Sequence, residues 1–294
     1  MNNAKNRIAG KKLNVNGYTI TNDLVSATIS DKTGELTSFV YKGEEMLTSP
    51  IRLDLFRAPT DNDNRDRFGS KHWYAAGLDS LTQQVKDIKV TGTGNNRVVE
   101  TTVDLINSKN VKTGTSSFIY TIKKDGTLHI GATYTPDTSV VKSLARVGIT
   151  FAMPNRFYQV SYLGRGEHET YADRKQSGRI GIYQTTVPAM YHAYITPQAT
   201  GNRTDTRWVN LSDEQGRGLY INSIKPFEFS ALPYNDRVID NATHLNYLVE
   251  DGTVTVHLDA VQSGVGTATC GPGVQESYRV PLKTHTFEFT LQPR

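Results

Sequence analysis

The chain has 294 residues, with 33 lysines and arginines against 29 aspartates and glutamates, a net charge of +4. The basic excess is small and spread out, with no polybasic run, which argues against a nucleic-acid surface, and no apolar stretch approaches the roughly 20 residues of a membrane-spanning helix. A single cysteine, Cys270, excludes an intrachain disulfide and leaves the compartment open between cytoplasm and periplasm.

Residues 1–16 are basic and polar and lack the apolar segment of a signal peptide, so they read as a linker or a cut end. From residue 17 to 294 neither a fixed-period repeat nor a low-complexity linker breaks the chain, which predicts one domain. Fifteen tyrosines and 24 glycines lean toward β structure. "YTITNDLVSATISDKTGELTSFVYKGEEMLTS" alternates apolar and polar residues between turn signals at "DKTG" and "KGEE", as consecutive hairpins do. "SSFIYTIKKDGTLHIGATYTP" predicts a hairpin turning at Asp125-Gly126, "VEDGTVTVHLDA" another at Asp251-Gly252, and "THTFEFTLQPR" a closing strand. One helix is expected, over 70–81, with Ser70 as N-cap and Gly77 as stop. Without helical crossovers between strands, the fold class is all-β, a large antiparallel sandwich.

"RAPTDNDNRDRFG" (57–69) packs Arg57, Asp61, Asp63, Arg65, Asp66 and Arg67 around one proline. It fails as a calcium loop of the EF-hand kind. The fifth and sixth positions are Arg65 and Asp66, and the twelfth is His72 where a bidentate glutamate is required. Asp61 and Asp63 suit acid–base work, or else cap their own backbone while Arg57 neutralises them. "YLGRGEHETYADRKQSG" (162–178) offers Glu169 as a general base with His168 beside it, or an Asp173/Arg174 pair that shapes the loop. In "TPQATGNRTDTRWVNL" (196–211), Arg207 beside Trp208 suits a sugar face, the ring stacking and the fork bonding hydroxyls. The same residues read equally as a core tryptophan and an arginine paired with Asp205. The seven histidines show no metal-ligand spacing. Nothing near Cys270 in sequence lowers its pKa, so it reads as a packing or contact residue.

"RAPTDND", "LGRGEHETYADR", "MYHAYITPQATGNRTDTRW" and "GVGTATCGPGV", in that order, resemble the C-terminal, small-chain β-sandwich domain of family-two β-galactosidases, from about residue 14 to 294. The resemblance implies a super-sandwich related in fold to galactose mutarotase. It also implies a retaining β-galactosidase whose catalytic glutamates, magnesium and sodium lie on a separate TIM barrel of the same polypeptide, in a homo-oligomer. This chain then shapes the galactoside pocket without doing chemistry and holds no metal or cofactor. The resemblance makes Asn64 to His72 a loop at the pocket edge, with Asn64, Arg65, Arg67, His72, Arg207, Trp208 and Cys270 facing sugar. Arg57, Asp61, Asp63, Glu169, Asp173 and Arg174 hold the loop bases. Where Cys270 stands, well-known members carry a tryptophan that stacks on the sugar, so that platform is missing. Two other classes fit the residues: a mutarotase-like enzyme using His168 or His192 with Glu169, and a carbohydrate-binding module with Trp73 and Trp208 as platforms.

Overall fold

The computed structural model describes residues 8–267 and 273–294. Its strands in chain order are β1 (Asn14–Asn16), β2 (Thr19–Thr21), β3 (Val25–Ile29), β4 (Leu36–Tyr41), β5 (Glu44–Glu45) and β6 (Ser49–Asp54). Next come β7 (Thr82–Gly92), β8 (Asn96–Ile106), β9 (Lys112–Lys123), β10 (Leu128–Pro136), β11 (Arg146–Pro154) and β12 (Gln159–Gly166). The last are β13 (Arg179–Thr186), β14 (Arg203–Ser212), β15 (Gly218–Leu232), β16 (Thr253–Gln262) and β17 (His285–Pro293). The helices are short: α1 (Asp61–Arg65), α2 (Ser70–Ala76), α3 (Val187–Met190) and α4 (Asp236–Asn241). The all-β antiparallel expectation is met, since every strand pair among the described residues is antiparallel.

Two ladders share one strand. One runs β7–β8–β9–β10–β17 and reaches β15 at Leu219–Asn222. The other runs β6–β11–β16 and reaches β15 at Glu228–Leu232. On its other side β15 pairs with β14, which continues through β12 to β13 at the edge. Alternation decides which residues enter the core: in β10, Leu128, Ile130, Ala132 and Tyr134 are buried, the period-two signature of a strand with one covered face. β11 is buried at all but its last residue, as befits a strand covered on both faces.

Turn chemistry works where the sequence signals it. Lys42 and Gly43 both take positive φ between β4 and β5, as a two-residue hairpin turn requires. Gly126 (φ +82) does so between β9 and β10. Three expectations need correction. Asp251-Gly252 leads into β16 but joins no hairpin, because a single-turn helix at Leu245–Tyr247 and irregular chain precede it. Asp251 instead accepts the Thr253 amide and hydroxyl. The 70–81 helix stops at Gly77, whose φ is +68, as expected, but Gly69 occupies the N-cap position and Ser70 lies inside α2. Residues 10–16, read as linker, belong to the fold: Leu13 is buried, Gly10 donates to the Lys124 carbonyl, and β1 pairs with β2.

Candidate functional site

Three segments that lie far apart in sequence meet around one loop. Thr60 caps α1, accepting from the Asp63 amide while Asp63 accepts from the Thr60 amide, a reciprocal capping box. The same Asp63 carboxylate takes Arg57 bidentately, Nε at 3.1 Å and Nη2 at 2.8 Å. Arg57 is fully buried and spends its other donors on Gln262 Oε1 and the carbonyls of Ser263 and Gly264. Asn62 donates to the Val265 carbonyl. From the other side Asp173 accepts the amides of Val265 and Gly266, and Asp66 accepts that of Val274.

This grip explains Gly264, Gly266 and Gly273. A Cβ on Gly264 would stand 2.4 Å from Asp173 Oδ2, one on Gly266 2.0 Å from Asn62 Nδ2, and one on Gly273 2.1 Å from Asp66 Cγ. Side chains of the cradle occupy the space that any larger residue would need. Cys270, expected at the sugar-facing edge, lies outside the described residues.

Glu169 ties down the neighbouring segment. One carboxylate oxygen accepts from Arg174 and from the Tyr194 hydroxyl, the other from Thr200 Oγ1 at 2.9 Å and the Gly201 amide at 2.8 Å. Burial pushes its pKa up, but the bonds from Tyr194, Gly201 and Thr200, with Arg174 beside them, hold it below the ordinary glutamate value. A carboxylate with four donors and a lowered pKa is a poor proton acceptor. His168, Glu169 and His192 do line one cavity of about 590 Å³ beside β13, together with Tyr162, Tyr183 and Arg203.

Of the residues expected at the pocket edge, Asn64 accepts Ser70 Oγ at 2.7 Å, and Arg65 and Arg67 are exposed. His72 Nε2 stands 3.0 Å from the Arg67 carbonyl. The stretch Asn64–His72 is therefore the end of α1, a turn and the start of α2, with local hydrogen bonds throughout. Asp61 is exposed and forms no ion pair among the described residues, so Arg57 and Asp63 hold the base without it. Trp73 is core, 1% exposed, with the Arg57 guanidinium 5.6 Å from its ring centroid, which removes it as a sugar platform. Arg207 and Trp208 do not form a shared face: Arg207 folds back to the Asp205 carbonyl, and half-buried Trp208 packs beside Tyr220.

Sequence reasoning missed a second cluster. His257 Nδ1 lies 2.7 Å from Asp54 Oδ2 and its Nε2 3.4 Å from Asp236 Oδ2, while Arg146 reaches Asp54 at 3.1 Å. Although burial pushes the Asp54 carboxyl up, Arg146 and His257 bring it down to about 2. Asp54, Asp236 and His257 each present one ligand atom within 4.8 Å of the others, but the Arg146 charge beside them opposes a cation. Asp54, Arg146 and the Asp236/His257 pair come from three stretches about 90 positions or more apart, and even Asp236 and His257 are 21 apart, so no local spacing could have signalled them. The Thr60-x-x-Asp63 spacing, by contrast, is a legible cap.

The family described as Beta galactosidase small chain matches residues 21–291. The β-galactosidase of Priestia megaterium is 30% identical over 280 residues, which cover 94% of this chain and 26% of that protein. The Vibrio cholerae β-galactosidase is 32% identical over 244 residues, 80% of this chain and 23% of that protein. The chain thus spans about a quarter of the relatives it matches. Among solved structures, galactose 1-epimerase from Lactobacillus acidophilus aligns over 94% of this chain and 93% of its own, with 8% identity and a TM-score of 0.49. With nearly its whole length matched, the chain belongs to the β-galactosidase small-chain family.

Proposed function

We propose that this chain is the non-catalytic C-terminal sandwich of a retaining β-galactosidase of glycoside hydrolase family two. The supporting observation is the cradle that grips residues 263–266 and 274. Asp63, which suited acid–base work, and Asp173, expected at a loop base, are consumed by an arginine and by backbone amides. They set the shape of a loop and leave no free acid–base pair there among the described residues. Chemistry then falls to a TIM barrel in the same polypeptide, where two carboxylates about 5 Å apart run double displacement through a glycosyl-enzyme. Magnesium and sodium sit with those carboxylates, away from this chain. The galactoside meets this domain at the edge formed by Asn64–His72 and the loop carrying Cys270, and the parent assembles as a homo-oligomer.

The test is direct. The purified chain should not hydrolyse a chromogenic β-galactoside, whereas the product of the uninterrupted coding sequence upstream should. Turnover by the pure chain, or an upstream product without a barrel, overturns the reading.

A further inference from the structure

Among the buried arginines, Arg57 is neutralised by Asp63 and Arg146 by Asp54. Arg203 is 4% exposed and has no ion-pair partner among the described residues. Its Nε donates to the Tyr162 hydroxyl at 3.0 Å, and Nη1 to the carbonyls of Gly201 (3.0 Å) and Asn202 (3.3 Å). No hydrogen bond from Nη2 occurs among the described residues. Uncompensated buried charge is costly enough that proteins pair it, coordinate it or present it to a ligand. Arg203 lines the cavity of about 590 Å³ beside β13, so its charge faces a space of small-molecule size. Tyr191 lines the same cavity, and its buried hydroxyl likewise has no partner. The walls are aromatic: the Tyr162 and Tyr183 rings lie 5.4 Å apart, and His168 and His192 join them. The negative charge of Glu169 is already taken up by Arg174 and three further donors.

We propose that this cavity is an anion site in which Arg203 binds the carboxylate of a sugar-sized acidic ring. The guanidinium suits a carboxylate through charge-assisted hydrogen bonds. The tyrosine rings cover the body of the ligand. Glu167, exposed and also lining the cavity, competes for the same cation. The site stands on its own, whether or not the chain works beside a catalytic barrel.

Calorimetric titration of the whole chain with galacturonate, with galactose as neutral control and inorganic phosphate as bare oxyanion, tests the assignment. Galacturonate should bind at least about tenfold tighter than either control. Arg203→Lys, which keeps the charge but loses the fork, should weaken galacturonate by at least about tenfold. Ala189→Glu places a rival carboxylate at an exposed lining position and should do the same, so it decides the matter if the buried lysine variant does not fold. Equal affinity for galactose overturns the proposal, as does binding unchanged in Ala189→Glu. Phosphate binding as tight as galacturonate refutes the ring. Binding that appears only in Glu167→Gln makes Glu167 the resident counter-ion and also overturns it.

Discussion

Replacing Arg57 with methionine keeps most of the side-chain volume and removes five hydrogen bonds: two to Asp63 and three to Gln262, Ser263 and Gly264. Asp63 is then left 2% exposed with its charge uncompensated apart from the Thr60 amide. Breaking one side of a buried ion pair costs about 3–5 kcal/mol, and each orphaned acceptor adds about 1 kcal/mol, not additively. A loss of about 4–5 kcal/mol is therefore expected, close to the whole stability of a marginal domain. Urea unfolding followed by tryptophan fluorescence reads it near the lesion, because the Trp73 ring centroid lies 5.6 Å from the guanidinium. Asp63→Asn alone weakens both the cap and the pair. With Arg57→Met it should cost less than the sum of the two, with coupling of about 3 kcal/mol. A loss below about 1 kcal/mol, the range of surface pairs, or no coupling, refutes the view that this pair anchors the cradle.

Gly266→Ala forces a side chain onto φ +134 and against Asn62, so a loss of about 1–3 kcal/mol is expected in the same assay; a change within about 0.5 kcal/mol removes steric demand as the reason for this glycine. Glu228 is pushed up to about 8, chiefly by burial and partly by Asp259, against the bond from Asn202. Its folded pKa exceeds the ordinary glutamate value near 4.3, so the folded state binds the extra proton and stability falls as pH rises across that window. Glu228→Gln should flatten the fall by about 1–2 kcal/mol, allowing for partial exposure; identical pH curves refute it. The pure chain should not accelerate galactose mutarotation, because Glu169 is saturated by donors. Acceleration abolished by Glu169→Gln would make the chain a mutarotase-like enzyme.

How much could be read from the sequence depended on the range of each interaction. Gly77, Gly126 and the Lys42-Gly43 turn were legible because positive φ is a local demand with a local residue signature. Asp251-Gly252 carried the same signature yet closed no hairpin, since nothing local says whether the preceding residues have a strand to pair with. Trp73 looked like a platform because an aromatic's burial is set by what covers it, here the Arg57 guanidinium and Phe56. The cradle was half legible. Its residues stood out as charged loops, but their service to one distant loop needed the fold, as did the meeting of Asp54 with His257 and the lack of an ion-pair partner for Arg203 among the described residues.

The branching at β15 also has a kinetic side. β17 fills the gap between β10 and the N-terminal half of β15, pairing Leu128–Tyr134 on one flank and Leu219–Asn222 on the other. Until His285–Pro293 leaves the ribosome, β10 and β15 each present an open row of backbone donors and acceptors. Contacts that distant in sequence form slowly, and exposed edges recruit other chains. A polypeptide halted before His285 should accumulate as insoluble material, while one completed through β17 closes both flanks with a single strand.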